Sequence, residues 1–191
     1  MALSAILKRK PTLIVSGINQ GANLGQDVYY SGTVAAAREA AISGIPAVAV
    51  SLVTSHKHRK INYQYDSAAR ATFRTLELVL KHMGGGDQKR GLRRWPRGLV
   101  LNINVPNVPF ARLKGYRMSV QGRQLYGGTA IKRIDNRGQP YYWIGGTHQG
   151  FEKIRGTDCF LANENFVAIT PLRLDCTDYD FITDLGKYFT R

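Results

Sequence analysis

Residues 12–53 read TLIVSGINQGANLGQDVYYSGTVAAAREAAISGIPAVAVSLV, and the fold turns on this stretch. Thr12–Ser16 is a short, nearly continuous apolar run that ends at Gly17, as expected of a strand covered on both faces. From Gly17 to Gly32 come four glycines and two asparagines, so backbone geometry matters more here than side-chain packing. Thr33–Ser43 is rich in alanine and other good helix formers. Ser31 or Thr33 stands where an N-cap belongs, Gly44 where a C′ glycine belongs, and Pro46 prevents continuation. Residues 47–53 then form a second buried strand. Strand, glycine-rich loop, helix and strand in that order specify a right-handed βαβ crossover of a parallel sheet.

Working outward, Ala68, Ala71, Thr72, Thr75, Leu76, Val79 and Leu80 recur at spacings of three and four. They predict a helix over Tyr63–His82 that Gly84, Gly85 and Gly86 end. Asp87–Gly98 reads as a basic surface loop and Leu99–Val105 as a third strand stopped by Pro106. Beyond residue 110, Tyr116–Val120, Tyr141–Ile144 and Phe166–Pro171 are short β-like runs between polar turns, and Asp178–Phe189 is expected to close the chain as a helix. These patterns divide the sequence into an α/β portion, residues 1–109, and a β-rich arm, residues 110–191.

The chain has 191 residues, 43% hydrophobic and 21% charged, enough for a full core and close to the globular norm. Its longest apolar stretch, Ile45–Val53, falls far short of the roughly twenty residues of a spanning helix. Ala2–Leu7 precedes Lys8, Arg9 and Lys10, the reverse of a secretory signal's charge order. With only two cysteines and no C-x-x-C pair, a reducing cytoplasm is the expected compartment. Lysine and arginine total 27 against 13 acidic residues, a formal charge of +14 that favours anionic partners. The excess lies in connecting segments such as Lys57–Lys60 and Lys89–Arg97. Solvated loops account for it better than a nucleic-acid surface does.

In an open α/β sheet, ligands bind beyond the carboxyl ends of the strands, which makes the Gly17–Thr33 loop the candidate site. The start of the following helix exposes unpaired N–H groups and the positive end of the helix dipole, so Ser31, Gly32 and Thr33 are placed to hold a phosphate. No G-K-[ST] follows, and no G-x-G-x-x-G occurs, so this is neither a Walker A loop nor a dinucleotide fingerprint. Phosphoryl chemistry also calls for a cation held by carboxylates. Before Asp66 the only acidic residues are Asp27 and Glu39, and no adjacent aspartate pair occurs. Asn19 and Asn23 can offer amide groups to a metal or a phosphate, but one neutral ligand does not hold Mg²⁺. His56 and His58 lack a carboxylate or thiolate partner, and Asp175, Asp178 and Asp180 suit turns and helix caps. Cys159 and Cys176 are expected to pack as small hydrophobes, and Tyr141–Trp143 as a buried strand rather than a base-stacking platform.

Val15–Glu39, VSGINQGANLGQDVYYSGTVAAARE, closely resembles the signature of the SurE family of 5′/3′-nucleotidases. GIPAVAVSL (44–52), LNINVP (101–106), YYWIG (141–145), GTD (156–158) and ITPLRLD (169–175) follow in the family's order. The resemblance implies a Rossmann-like three-layer α/β sandwich whose β-rich C-terminal portion exchanges between subunits in homodimers or tetramers. It implies a metal-dependent hydrolase of nucleoside 5′- or 3′-monophosphates using one divalent cation, Mg, Mn or Co. By it Asn19 ligates the metal, Asn23, Ser31, Gly32 and Thr33 line the phosphate wall, and Asn23, Ser31 and Thr33 take part in catalysis. The family's Asn-Asp-Asp-Gly segment, which carries the principal metal ligands, has no counterpart here. The chain is therefore expected to be an N-terminally truncated member that binds metal weakly. A catalytically inactive remnant, or an oligomerising module that binds nucleotides or other anions, is the alternative.

Overall fold

The computed structural model describes residues 2–54, 62–128, 130–143 and 147–189. The fold is built on a five-stranded sheet in the order β1 (Ile14–Gln20), β2 (Ala47–Val53), β3 (Leu99–Pro106), β9 (Val167–Arg173), β4 (Tyr116–Met118). β1, β2 and β3 are parallel. β9 enters antiparallel to β3, and β4 runs parallel to β9.

The layering follows from alternation along β2. Ala47 and Ala49 pack with Val34, Ala37, Ala40 and Ala41 of α1 (Gly32–Ile42), and the small residues let that helix lie close to the sheet. Val48, Val50 and Leu52 point the other way, with Ala68 and Ala71 of α2 (Tyr65–Gly84). A strand covered on both sides is apolar except where a buried polar residue has a partner, and six of the seven β2 residues are buried, five of them apolar and the sixth Ser51. The expected βαβ unit and three-layer architecture are present. α1 begins at Gly32 with Ser31 as its N-cap, and α2 ends on Gly85, which adopts a left-handed conformation at φ 62°.

Three local expectations are corrected. The first strand does not stop at Gly17 but continues to Gln20 through an irregularity between Ser16 and Asn19. Gly17 lies at φ 124°, and a Cβ there would stand 2.4 Å from the Val50 carbonyl oxygen, so the glycine allows the strand to kink rather than end. The basic segment after α2 holds a short helix, α3 (Gln88–Arg93), which starts because the Asp87 carboxylate accepts the Lys89 N–H at 2.8 Å. Gly91 of α3 sits against the Leu80 backbone, too close for any side chain.

The third correction concerns the arm. β5 (Gln124–Gly127) pairs with β8 (Thr147–Phe151), and β6 (Ile131–Ile134) pairs with β7 (Pro140–Trp143). Tyr141, Tyr142 and Trp143 are 41, 61 and 62% exposed rather than buried. Alternating hydrophobicity marks a strand without saying what covers it. The remaining helices are α4 (Asp158–Asn163) and α5 (Tyr179–Gly186), whose N-cap is Asp178. No helix among the described residues is long and apolar enough to cross a membrane.

Candidate functional site

Side chains near the carboxyl ends of three parallel strands form a polar row: Asn19 of β1 lies opposite Ser51 of β2, and Ser51 opposite Asn104 of β3. Ser51, Asn104 and Asn102 are fully buried. They are there to hold the loop. The Asn104 Oδ1 accepts the Asn23 N–H at 2.9 Å, and its Nδ2 donates to the Asn23 carbonyl at 3.0 Å. Asn102 Nδ2 donates to the same carbonyl at 2.8 Å, and Asn23 Nδ2 donates to Ser51 Oγ at 2.6 Å. Polar groups removed from water need such partners, and together they fix the backbone and side chain of Asn23. Asn23 is thus drawn beneath the loop, only 6% exposed. Asn19, half-buried, donates its Nδ2 to the Gly21 carbonyl at 3.0 Å.

A 3-10 turn, Gly25–Tyr29, carries the loop into α1. Ser31 Oγ accepts the Val34 N–H at 3.1 Å, which caps the third amide of the helix. The first two amides, those of Gly32 and Thr33, belong to the unpaired set of a helix start and carry its partial positive charge. A Cβ built on Gly32 would find no atom from outside its own turn of the helix within 4 Å, so the flank of the helix start at Gly32 is open. Amides so placed can chemically receive a small anion. Tyr30, beside Ser31, is 88% exposed on the rim.

The arm grips the 3-10 turn. Gln26 forms a paired amide contact with the backbone of Gln124, at 2.7 and 2.9 Å, and the Tyr126 hydroxyl donates to Asp27 at 2.6 Å. Burial first, and then the Asp27 carboxylate, push the Tyr126 phenol well above its ordinary range, so it stays a proton donor in this bond.

Of the residues singled out in the sequence, Ser31, Gly32 and Thr33 lie together at the start of α1. Asn19 and Asn23 meet through Ser51 at the strand ends. His56 and His58 lie outside the described residues. Sequence reasoning missed Ser51, Asn102, Asn104 and Asp158. For the first three the signal was the interruption of apolar strands by polar residues, L-N-I-N-V and V-S-L, since a polar residue in a strand covered on both faces has a partner or a cost. Cys159 is buried as expected, but Cys176 is exposed, which corrects its reading as a packed hydrophobe. Burial, with the adjacent Asp158 carboxylate, pushes the Cys159 thiol far up and away from the reactive thiolate. In native protein an aromatic disulfide reagent should therefore label one thiol promptly and the second only after unfolding; prompt release of two equivalents would contradict the buried position.

The family model described as "Survival protein SurE" matches residues 1–128. The chain belongs to the SurE family. It is 41% identical over 188 residues to the 5′-nucleotidase SurE of Geotalea daltonii, an alignment that spans 98% of this chain and 70% of that protein. It is equally identical over 188 residues to the 5′-nucleotidase SurE of Symbiobacterium thermophilum, of which 67% is spanned. The crystal structure of the SurE protein from Aquifex aeolicus superposes with a TM-score of 0.72 at 32% identity, covering 99% of this chain and 70% of that one. The resemblance first seen in Val15–Glu39 thus extends to the fold, and the Rossmann-like α/β assignment holds for this SurE chain.

Proposed function

We propose that this SurE chain is a nucleotidase, hydrolysing the phosphomonoester of nucleoside 5′- or 3′-monophosphates. The observation that carries the proposal is the pair of Gly32 and Thr33 amides at the start of α1, set beside open space and fixed by the Ser31 cap. Kinship with proteins named 5′-nucleotidase gives the substrate class. Gly32 and Thr33 N–H hold the anionic end of the ester and stabilise charge that grows on its oxygens as the phosphorus–oxygen bond breaks. Preorganised donors of this kind lower a barrier because they need not reorient. Ser31 acts by holding the helix start in place, since its Oγ accepts an amide of the first turn. Asn23 acts from below: its buried hydrogen bonds hold the loop's floor while the helix start meets the ester.

The family implies a divalent cation, Mg, Mn or Co. The described residues do not fit one unaided. Asn19 can bring an amide oxygen. The loop's one carboxylate, Asp27, is engaged by Tyr126, and no group of three or more His, Cys, Asp or Glu among the described residues could enclose an ion. No step is assigned to a cation on these residues.

The expected result is phosphate release from nucleoside monophosphates and p-nitrophenyl phosphate by the purified chain when Mg²⁺, Mn²⁺ or Co²⁺ is supplied. Asn19→Ala removes the hydrogen bond that ties the end of β1 to the Gly21 carbonyl of the loop and should lower release about tenfold, the loss of about 1.4 kcal/mol of transition-state stabilisation. Phosphate binding without release, with every cation tried, would overturn the nucleotidase reading in favour of a binding module.

Assembly as a homodimer or tetramer is part of the same proposal. It is supported by the exposed apolar side chains of the arm, Ile131, Ile134, Tyr142 and Trp143, and of α5, Phe181 and Ile182. The division at residue 110, into an α/β domain and a β-rich hairpin, arm and C-terminal segment, is part of the proposal, with β4 and β9 of the second portion joining the sheet of the first. A cytoplasmic setting belongs to the same proposal and is supported by low cysteine usage, two in 191 residues with no C-x-x-C pair.

A further inference from the structure

We propose that Asp158 is a positioning residue for the phosphate cradle, acting through the backbone of Gly25; the proposal rests on the cradle reading above. Asp158 opens α4, 133 residues beyond Gly25 in the chain, and its fully buried carboxylate joins the start of its own helix to two distant segments. Its Oδ2 accepts the Gly25 N–H at 2.9 Å. Its Oδ1 accepts the Gly122 N–H at 2.8 Å and its neighbour Cys159 N–H at 2.7 Å. Gly25 is held from the other side as well, because Gln121 Nε2 donates to its carbonyl at 3.1 Å.

The packing around the carboxylate leaves no slack. A Cβ on Gly25, which sits at φ 55°, would stand 2.6 Å from the Gly122 carbonyl oxygen. A Cβ on Gly122 would stand 3.0 Å from Asp158 Oδ1 and 2.8 Å from Cys159 Sγ. Two glycines thus bring two backbones against one carboxylate. An ionised carboxylate is expensive to bury, and a well-packed apolar side chain of similar size often serves stability equally well or better. What the carboxylate supplies is direction. It is the side chain of this size that accepts from all three amides at once, and one of those amides begins the turn that delivers Ser31, Gly32 and Thr33.

An amide cannot substitute. In Asp158→Asn, whichever way the group is turned, its NH₂ faces either the Gly25 N–H or the Gly122 and Cys159 N–H groups. The loop then shifts although the side chain is almost the same shape.

The experiment compares Asp158→Asn with Leu80→Ala in the full chain, at a temperature where both are folded by circular dichroism. Leu80 is a buried residue of α2 with no hydrogen bond to the loop. Three quantities are read: kcat and KM for a nucleoside monophosphate, the dissociation constant of inorganic phosphate, and the Gly25 amide resonance. Asp158→Asn should raise KM and the phosphate constant about tenfold and move the Gly25 amide upfield, out of the position given by a charge-assisted hydrogen bond. Leu80→Ala should lose as much thermal stability and leave both constants within about twofold. Equal changes in the two variants, or unchanged constants in folded Asp158→Asn, would overturn the proposal. If Asp158→Asn does not fold, Gln121→Ala removes the other hold on Gly25; it should raise the phosphate constant a few-fold, and no change would count against the proposal. If the wild-type chain releases no phosphate, the nucleotidase reading fails, while the phosphate constant and the Gly25 resonance still decide the role of Asp158.

Discussion

Gly32→Ala should lower activity on nucleoside monophosphates about a hundredfold while leaving the melting temperature unchanged or slightly higher. The two effects have separate causes. Gly32 has ordinary helical backbone geometry and no atom from outside its own turn of the helix within 4 Å of where a Cβ would lie, so the new methyl strains nothing. Replacing glycine where the backbone permits it restricts the unfolded chain and stabilises by about 0.4–1 kcal/mol. In a chain of this size that raises the melting temperature by roughly 1–4 °C. The same methyl occupies the space from which a phosphate oxygen approaches the Gly32 and Thr33 amides. Losing a donor aimed at developing charge typically costs 2.7 to 4 kcal/mol, about a hundredfold or more in rate. Both numbers come from one variant, by a melting curve and a phosphate-release assay. A variant that melts higher and turns over normally would show that the anion sits elsewhere; one that melts much lower would show that the space beside Gly32 is not open.

That Gly32 could be named from the sequence reflects how locally a helix start is encoded. Ser31 before a run of good helix formers fixes where α1 begins, and the amides of a helix start point outward whatever the rest of the chain does. The βαβ unit was legible for a similar reason, because a strand buried on both faces must be largely apolar, and β2 is apolar at every position but Ser51. The arm was legible as strands but not as to burial. Tyr141–Trp143 has the composition of a core strand and lies in a two-stranded ribbon whose faces the described chain does not cover. Asp158 was legible only as part of a family motif, since the amides it accepts belong to Gly25, 133 residues away, and to Gly122, 36 residues away. No spacing rule relates such positions. Local chemistry gave the cradle, and long-range packing gave what holds it.

Asn104 is where that packing is most exposed to test. Asn104→Ala should destabilise the chain by about 2–5 kcal/mol, because it empties a fully buried site and strands a buried amide. The Asn23 N–H loses its acceptor, whereas the Asn23 carbonyl keeps Asn102. At roughly 2–4 °C per kcal/mol, the melting temperature should fall by about 5–20 °C. Asn104→Asp separates the two halves of the contact. It keeps the oxygen that accepts the Asn23 N–H but turns a second oxygen on the Asn23 carbonyl, so the ionised form is opposed by burial and by that carbonyl together. Its folded pKa should therefore lie above the unfolded value of about 3.9. With the folded value raised, the variant's stability relative to wild type is fully present below the unfolded pKa, where the carboxyl can donate its proton to the carbonyl. It is lost as pH rises through the folded pKa. Denaturation midpoints of the two proteins should accordingly converge as pH falls from 8 towards 4. A gap that stays constant across that range would mean that position 104 does not face the Asn23 carbonyl, and the floor of the loop would have to be drawn differently.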